Sequence, residues 1–182
     1  MTIPDSVTSI GDYVFYLCKG LTNVKMSNSL TSICSSMFSI CKSLTDITIP
    51  KSVTSIGAEA FYGCASFTRI AIPDGVTSIG YEAFYGCSGL TSMTIPTSVT
   101  SIGESAFYSC FNLKSLVFKG KTLEEVKAIN NYPFGVEDES IIKCESDLNE
   151  NKATYLQKYR DESDVKSIVD MFWSIRNRLS AP

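Results

Sequence analysis

The sequence predicts an α/β solenoid, a chain wound into stacked coils. The 182-residue chain repeats itself five times at a spacing of 23 residues, and no repeat carries an insertion. Each repeat contains an apolar segment that alternates as a half-buried strand does, with glycine or proline where the chain must turn. A unit of this length cannot bury its apolar side alone, so neighbouring units must stack against one another.

Seven apolar columns keep their chemical type over about 115 residues, which fixes the register of the stack. One column contains only phenylalanine: Phe15, Phe38, Phe61, Phe84 and Phe107. Another contains only cysteine: Cys18, Cys41, Cys64, Cys87 and Cys110.

The fourth copy illustrates the order of the predicted elements within one repeat. Leu90, Met93 and Ile95 alternate towards one buried face and predict a strand that Pro96 ends. The Val-Thr-Ser-Ile segment that follows is β-branched and predicts a second short extended segment. A glycine such as Gly57 then turns the chain, and the residues 60–62 predict a short helical turn before the cysteine.

The five copies resemble the BspA-like, or Treponema pallidum-type, leucine-rich repeat family. The resemblance is carried by the residues of Ile72-Pro73-Asp74-Gly75-Val76-Thr77-Ser78-Ile79-Gly80 and Ala83-Phe84-Tyr85-Gly86-Cys87-Ser88-Gly89-Leu90-Thr91. It implies a right-handed superhelix with a parallel sheet on its concave side. It also implies a binding role, since known members are largely surface adhesins and interaction proteins, and it identifies no catalytic residue. The second copy departs from the pattern, with Ser27 for proline, Cys34 for glycine and Ser39 for tyrosine.

We expect three regions: the repeat solenoid at 1–118, a C-terminal cap at 119–145 and a helical tail at 146–182. Thr122 and Glu125 have the spacing of a capping box, which predicts a helix over 121–130. The tail predicts a helix at about 162–179 and a shorter one from Leu148 to Tyr159. The apolar stripe of the longer helix either packs on the cap or serves an oligomer or partner.

Composition excludes several kinds of function. The chain has no histidine, so the Ser-His-Asp triads and zinc sites that need one are excluded. A net charge of −3 gives no electrostatic reason to expect nucleic acid, and no apolar run is long enough to insert in a membrane. We read the column cysteines as small buried apolar groups with unreactive thiols and the Ser-x-x-Lys matches as chance, and we expect no catalytic residue, metal or cofactor.

Two exposed surfaces are candidates for ligand contact. One is the outward row of the predicted strands on the concave face, where the side chains are small or polar without an aromatic anchor. It consists of Thr22, Asn23, Lys25, Thr45, Asp46, Thr48, Thr68, Arg69, Thr91, Ser92, Thr94 and Lys114. The other is a contact stripe of tyrosines beside the phenylalanine column, namely Tyr16, Tyr62, Tyr85 and Tyr108. A plain hydroxyl ladder and tyrosines that only wrap the turn are the structural alternatives.

The sequence thus predicts a non-catalytic module that binds a protein or glycan, as a cell-surface adhesin or interaction protein. The alternative is a structural assembly protein that oligomerises through the open repeat face or the tail helix, and a third reading is an accessory domain of a larger enzyme. Residues 1–10 carry neither the basic nor the apolar segment of a signal peptide. We therefore expect a surface or secreted location if the chain belongs to a longer protein with a signal, and a cytoplasmic one otherwise.

Overall fold

A computed structural model describes residues 1–147, 149 and 153 of the chain. The chain divides into two compact units, Met1–Glu145 and Ser146–Pro182. Within the described residues, no helix has the length and apolar character needed to cross a membrane.

The first unit is a solenoid of five coils in which most of the regular structure is short parallel strand. The elements are β1 Asn23–Lys25, β2 Ser32–Ile33, β3 Asp46–Thr48, β4 Ser55–Ile56, β5 Arg69–Ala71, β6 Ser78–Ile79, β7 Ser92–Ile95, β8 Ser101–Ile102, β9 Ser115–Phe118, α1 Leu123–Lys127, a 3-10 turn Glu139–Ile141 and β10 Ile142–Cys144. The predicted solenoid, its repeat register and its parallel sheet are confirmed, and the structure adds a second sheet.

The odd-numbered strands and β10 line one side of the solenoid. They pair in parallel as β1 with β3 and as the series β10–β9–β7–β5. Each central residue is buried and its neighbours are exposed, as the alternation predicts. The sheet is interrupted between β3 and β5. The interruption coincides with Phe67, which stands just before β5 where the other coils have leucine and packs edge-on against Phe61 at 5.5 Å.

The even-numbered strands form a second parallel sheet that runs without interruption as β2–β4–β6–β8. Ser55 pairs with Ser78 and Ile56 with Ile79, so every residue faces its own copy one repeat away. A glycine follows each of the later strands, and the Gly80 amide donates to the Ile56 carbonyl at 2.8 Å.

The turn that carries the aromatic column is not helical, so the predicted helical turn is wrong. The amides of Glu59, Phe61 and Gly63 donate instead to the carbonyls one coil later, at 2.7 to 2.8 Å. Glu59 and Gly63 take positive φ values of 55° and 65°, which turns the chain and leaves these amides pointing along the solenoid. Backbone groups buried in a turn need partners, and the next coil supplies them.

The phenylalanines form a continuous stack through all five coils. Successive ring centroids lie 5.2, 5.6, 5.4 and 5.6 Å apart, with planes within 10° of parallel. These separations fall within the range of favourable offset aromatic pairs. The four rings from Phe38 onwards are buried almost completely, so this column forms the centre of the core.

The prediction that the column cysteines are buried is confirmed for Cys41, Cys64, Cys87 and Cys110 and is wrong for Cys18. The buried thiols also form hydrogen bonds, which the sequence interpretation missed. The thiols of Cys41, Cys64, Cys87 and Cys110 each donate to a phenylalanine carbonyl of the preceding coil, at 3.1 to 3.2 Å. A thiol is a weak donor, and this use requires it to be protonated. Burial is the main reason that the pKa rises to about 11 for Cys41 and to about 12 for Cys110. All seven cysteines are free, and Cys18 alone among them is exposed.

Glycine is required after the later strands because the coils approach closely there. A Cβ on Gly80 would lie 2.5 Å from the Ala58 nitrogen, a distance that backbone atoms cannot accept. Gly11 occupies the same column in the first coil, and a Cβ there would meet nothing within 4 Å. Cys34 replaces glycine in the second coil, and its thiol donates to the Ile10 carbonyl at 2.9 Å. The second coil therefore keeps its place in the stack despite its altered sequence.

The residues 119–145 satisfy several backbone groups of the fifth coil. The amide side chains of Asn130 and Asn131 donate to the Ile102 carbonyl at 3.0 and 2.9 Å, where a following coil would offer a glycine amide. The Phe107 amide donates to the Phe134 carbonyl at 3.0 Å, and β10 pairs with β9. The segment thus supplies the contacts of a further coil without sharing its repeat pattern.

The helix α1 begins as the capping box predicts. The Thr122 side chain accepts from the Glu125 amide, and the Glu125 side chain accepts from the Thr122 amide. The helix ends at Lys127, three residues before the predicted end. The predicted tail helix at 162–179 lies outside the described residues. Of the shorter predicted helix, only Asn149 and Ala153 are described, and both are helical.

We expect Gly80→Ala to lower the free energy of unfolding by about 2 kcal/mol, because the added methyl group overpacks two coils. Gly11→Ala is the matched control and should leave stability within about 0.5 kcal/mol of the parent. Urea unfolding followed by circular dichroism measures both. Equal effects of the two variants would contradict the close approach of the coils.

We also expect a thiol reagent at pH 8 to modify one cysteine rapidly, since only Cys18 is exposed. The buried thiols of Cys41, Cys64, Cys87 and Cys110 should react after unfolding, because the thiolate is the nucleophile and their raised pKa values disfavour it. Cys18→Ala should remove the fast phase. Several fast-reacting thiols in that variant would show that the cysteine column is accessible.

Candidate functional site

The outward row of the odd-numbered strands is exposed, as predicted. Each strand alternates between core and solvent, so its outward side chains fall on one face, which we call the strand face. The predicted residues Thr22, Asn23, Lys25, Thr45, Asp46, Thr48, Thr68, Arg69, Thr91, Ser92, Thr94 and Lys114 are all exposed there. Their role in binding stays a prediction, but the structure shows which of them have other tasks.

Some hydroxyls of the strand face serve the stack itself. Thr45 and Thr91 donate their side-chain hydroxyls to the carbonyls of Thr22 and Thr68, each at 3.1 Å. Thr54, Thr77 and Thr100 make the same contact along the second sheet. The hydroxyl ladder is therefore partly structural, and the charged side chains between its rungs are the freer groups for a ligand.

A cavity of about 280 Å³ opens on the strand face between the third and fourth coils. Its floor is the apolar Ile70, Ile72 and Met93, which are buried. Its polar lining residues are Arg69, Asp74, Ser92, Thr94 and Lys119. Arg69, Ser92 and Thr94 belong to the predicted set, whereas Asp74 and Lys119 were missed because they follow the strands.

Charge is divided between two sides of the solenoid. The turn segments, residues 11–18 and their four later copies, carry Asp12, Glu59, Glu82 and Glu104 and no lysine or arginine. The strand face carries three basic residues, Lys25, Arg69 and Lys114, and one acidic residue of the predicted set, Asp46. Since opposite signs lie on different segments of each coil, the strand face favours anionic ligands and the turns favour cationic ones.

The tyrosine stripe is continuous over three coils only. Tyr62 and Tyr85 stack at 4.7 Å with planes 6° apart, and Tyr108 follows at 5.4 Å. Tyr16 stands apart because the second coil has the buried Ser39 in this column. Burial, then Tyr85 and the carboxylates of Glu82 and Glu59, raise the pKa of Tyr62. The stripe is half-buried at Tyr62 and Tyr85 and exposed at Tyr108, so its rings support one another and leave an edge for contact.

A second cavity, of about 360 Å³, lies between the fifth coil and the residues 135–141. Phe111 stands at its edge with 75% of its surface exposed, and Lys114, Glu137 and Asp138 add charge. The Ser140 side chain and then its backbone amide, which donates to the Asp138 carboxylate at 2.9 Å, lower the pKa of that carboxyl. The sequence analysis missed this cavity. The feature that could have indicated it is Phe111, an aromatic residue in a column otherwise filled by Lys19, Lys42, Ala65 and Ser88.

The chain matches the family described as a BspA type leucine rich repeat region, in six copies over residues 1–68 and 54–168. The matched residues extend past the last in-phase repeat, in line with the coil-like contacts of the segment 119–145. No curated protein sequence matches the chain.

Solved structures share the fold. A leucine rich cell surface protein from Faecalibacterium prausnitzii is 37% identical over 72% of this chain and 34% of its own, with a TM-score of 0.68. A leucine-rich repeat protein from Bacteroides ovatus is 34% identical over 79% of this chain and 35% of its own, also with a TM-score of 0.68. The T. pallidum leucine rich repeat protein is 29% identical over 64% of this chain and 57% of its own, with a TM-score of 0.62. The chain spans about a third of the length of the first two proteins.

Proposed function

Because the chain belongs to the BspA-type leucine-rich repeat family, we propose that it is a non-catalytic module that binds a protein or glycan through its strand face. The setting we propose is a bacterial cell surface, which is where the name of the Faecalibacterium relative puts that protein. The observation that carries the proposal is the strand face itself, an exposed polar surface repeated once per coil.

The composition of that face favours a broad contact over a compact one. Tight protein interfaces concentrate their energy in buried tryptophan, tyrosine and arginine anchors. The predicted residues of the strand face include Arg69 but no aromatic side chain. Equivalent weak contacts on successive coils add up when the ligand itself repeats, since later contacts form within the complex. A repeating glycan or an extended protein segment has that property.

The proposed binding role requires no catalytic residue. The chain lacks histidine, and the family and the related structures are repeat proteins. One of the Ser-x-x-Lys matches, Ser140 to Lys143, has its ammonium group bonded to the serine backbone carbonyl instead of the hydroxyl. That geometry does not activate a nucleophile.

We expect Lys25→Glu combined with Thr48→Glu to weaken binding of a surface ligand about tenfold, which is about 1.4 kcal/mol. Both side chains are exposed and neither lines the two cavities described above, so the fold should be unaffected. The ligand is found by screening the immobilised chain against host matrix proteins and glycans, and affinities are then measured by interferometry. The matched control is Glu59→Gln with Glu104→Gln on the turn side, which should bind as the parent does. If the control variant weakens binding and the Lys25→Glu, Thr48→Glu variant does not, the ligand binds on the turn side, where the tyrosine stripe lies.

Protease shaving of intact source cells tests the location. Peptides of this chain released before lysis support the surface assignment, and peptides found only after lysis contradict it.

A second candidate function, assembly through the open repeat face, has an observation of its own. The first coil exposes Tyr13, Val14 and Leu17 at 58, 52 and 43% of their surfaces, where later coils cover the equivalent positions better. If this surface joins copies of the chain, light scattering should show a mass that rises with concentration. Val14→Glu should then restore the monomer, and a parent mass independent of concentration would exclude this function.

A further inference from the structure

The cavity on the strand face is lined by a side chain that is smaller than its equivalents in the other coils. Ala71 stands where the other coils carry Lys25, Thr48, Thr94 and Val117. Its neighbour in register is Thr94, so the cavity lies between the third and fourth coils. Ile70, Ile72 and Met93 line the cavity beneath a polar edge.

Two cationic side chains on this edge have no intramolecular partner. Among the described residues, the Arg69 guanidinium and the Lys119 ammonium form neither an ion pair nor a side-chain hydrogen bond, although both line the same cavity. Arginine presents a planar fork that matches a carboxylate or sulfate group, and lysine adds a point charge. The two groups together favour a ligand with a negative charge.

Asp74 narrows the class of ligand. A bare anion such as phosphate would meet the Asp74 carboxylate as a like charge. A sugar that carries both an acidic group and hydroxyls would use it, because a carboxylate accepts hydrogen bonds from hydroxyls. Ser92 and Thr94 add hydroxyls that donate or accept on the same edge.

The size of the cavity also favours a single sugar ring. Its volume of about 280 Å³ falls just below the range of pockets that hold drug-sized ligands. The apolar floor offers contact to the carbon face of a ring, while the polar groups lie around its edge. The rest of the ligand would extend over the neighbouring hydroxyls of the strand face.

We propose that this cavity binds an acidic sugar residue of a polysaccharide. Arg69 and Lys119 hold its anionic group, and Asp74, Ser92 and Thr94 bind its hydroxyls. The inference rests on the proposed function and names the ligand class of the same face. The anionic group is a carboxylate or a sulfate ester, which share this chemistry.

The test measures binding of defined polymers to the full chain by calorimetry. Oligogalacturonate offers carboxylates alone, chondroitin sulfate offers sulfate as well, dextran is the neutral control and polyglutamate tests charge without sugar. We expect one of the acidic glycans to bind and dextran and polyglutamate not to. Preference for oligogalacturonate or chondroitin sulfate identifies the anionic group.

Four variants locate the site. Arg69→Gln and Lys119→Gln should each weaken glycan binding about tenfold, and Ala71→Phe should abolish it by filling the cavity. Lys19→Gln removes the same charge from an exposed position outside both the strand face and the cavity, and is the matched control, so it should change affinity less than twofold. Ala71 is exposed, and an unchanged melting temperature checks that Ala71→Phe folds.

Asp74→Ala separates a sugar site from a simple basic patch by the sign of its effect. A sugar loses a hydrogen-bond acceptor and binds several-fold more weakly, whereas a bare anion loses a repulsion and binds more tightly. Tighter binding, polyglutamate binding equal to that of the glycans, or full binding by folded Ala71→Phe would each overturn the inference. Absence of binding by both acidic glycans would overturn it too.

The two proposals fail separately. If the cavity variants change nothing while Lys25→Glu with Thr48→Glu still weakens binding of some other ligand, the proposed function stands and the inference about the cavity falls. If strand-face variants of both kinds leave every detected ligand bound, the proposed function itself falls.

Discussion

The constraint on which this solenoid depends is that backbone amides at fixed positions of each coil must meet carbonyls of the neighbouring coil. Three rows of such hydrogen bonds run along the chain, in the two sheets and in the turn between them. Buried backbone groups without partners are costly, so a single inserted residue would put a whole coil out of register. This requirement explains why the repeats keep a constant spacing of 23 residues.

Much of the side-chain chemistry follows from the same constraint, because each residue packs against its own copies. Phenylalanine rings stack on phenylalanine rings, threonine hydroxyls reach threonine carbonyls, and glycine stands where two backbones nearly touch. The inward positions are thereby committed to structure. Variation is left to the outward positions, and the small side chain of Ala71 lines a cavity there. The same logic separates the charges, since acidic residues on the turns and basic residues on the strand face occupy different columns of the repeat.

The sequence predicted the coils well and the details of their turns less well. Alternation and column identity indicated the strands, the buried rows and the exposed residues of the strand face, because these depend on local pattern and on repetition. The helical turn was wrong, because alternate backbone amides such as those of Glu59, Phe61 and Gly63 donate to the next coil, and only the amides between them donate within the turn. The thiol hydrogen bonds were missed for the same reason, since the acceptor of Cys87 is a carbonyl in the preceding coil. The coil-like role of Asn130, Asn131 and Phe134 left no trace in the repeat phase, because two amide side chains replace a backbone amide.

The sequence by itself therefore determined the solenoid, its register, its family resemblance and which side chains point outward. Each of these follows from a residue pattern that recurs in every repeat. Only the tertiary structure decided where the first sheet breaks, how the residues 119–145 satisfy the fifth coil, and that Asp74 and Lys119 share a cavity with Arg69. These features join residues of different coils whose contact depends on the distance between strands and on the size of the side chains between them. Periodicity shows which positions are equivalent, but only packing shows which non-equivalent positions meet.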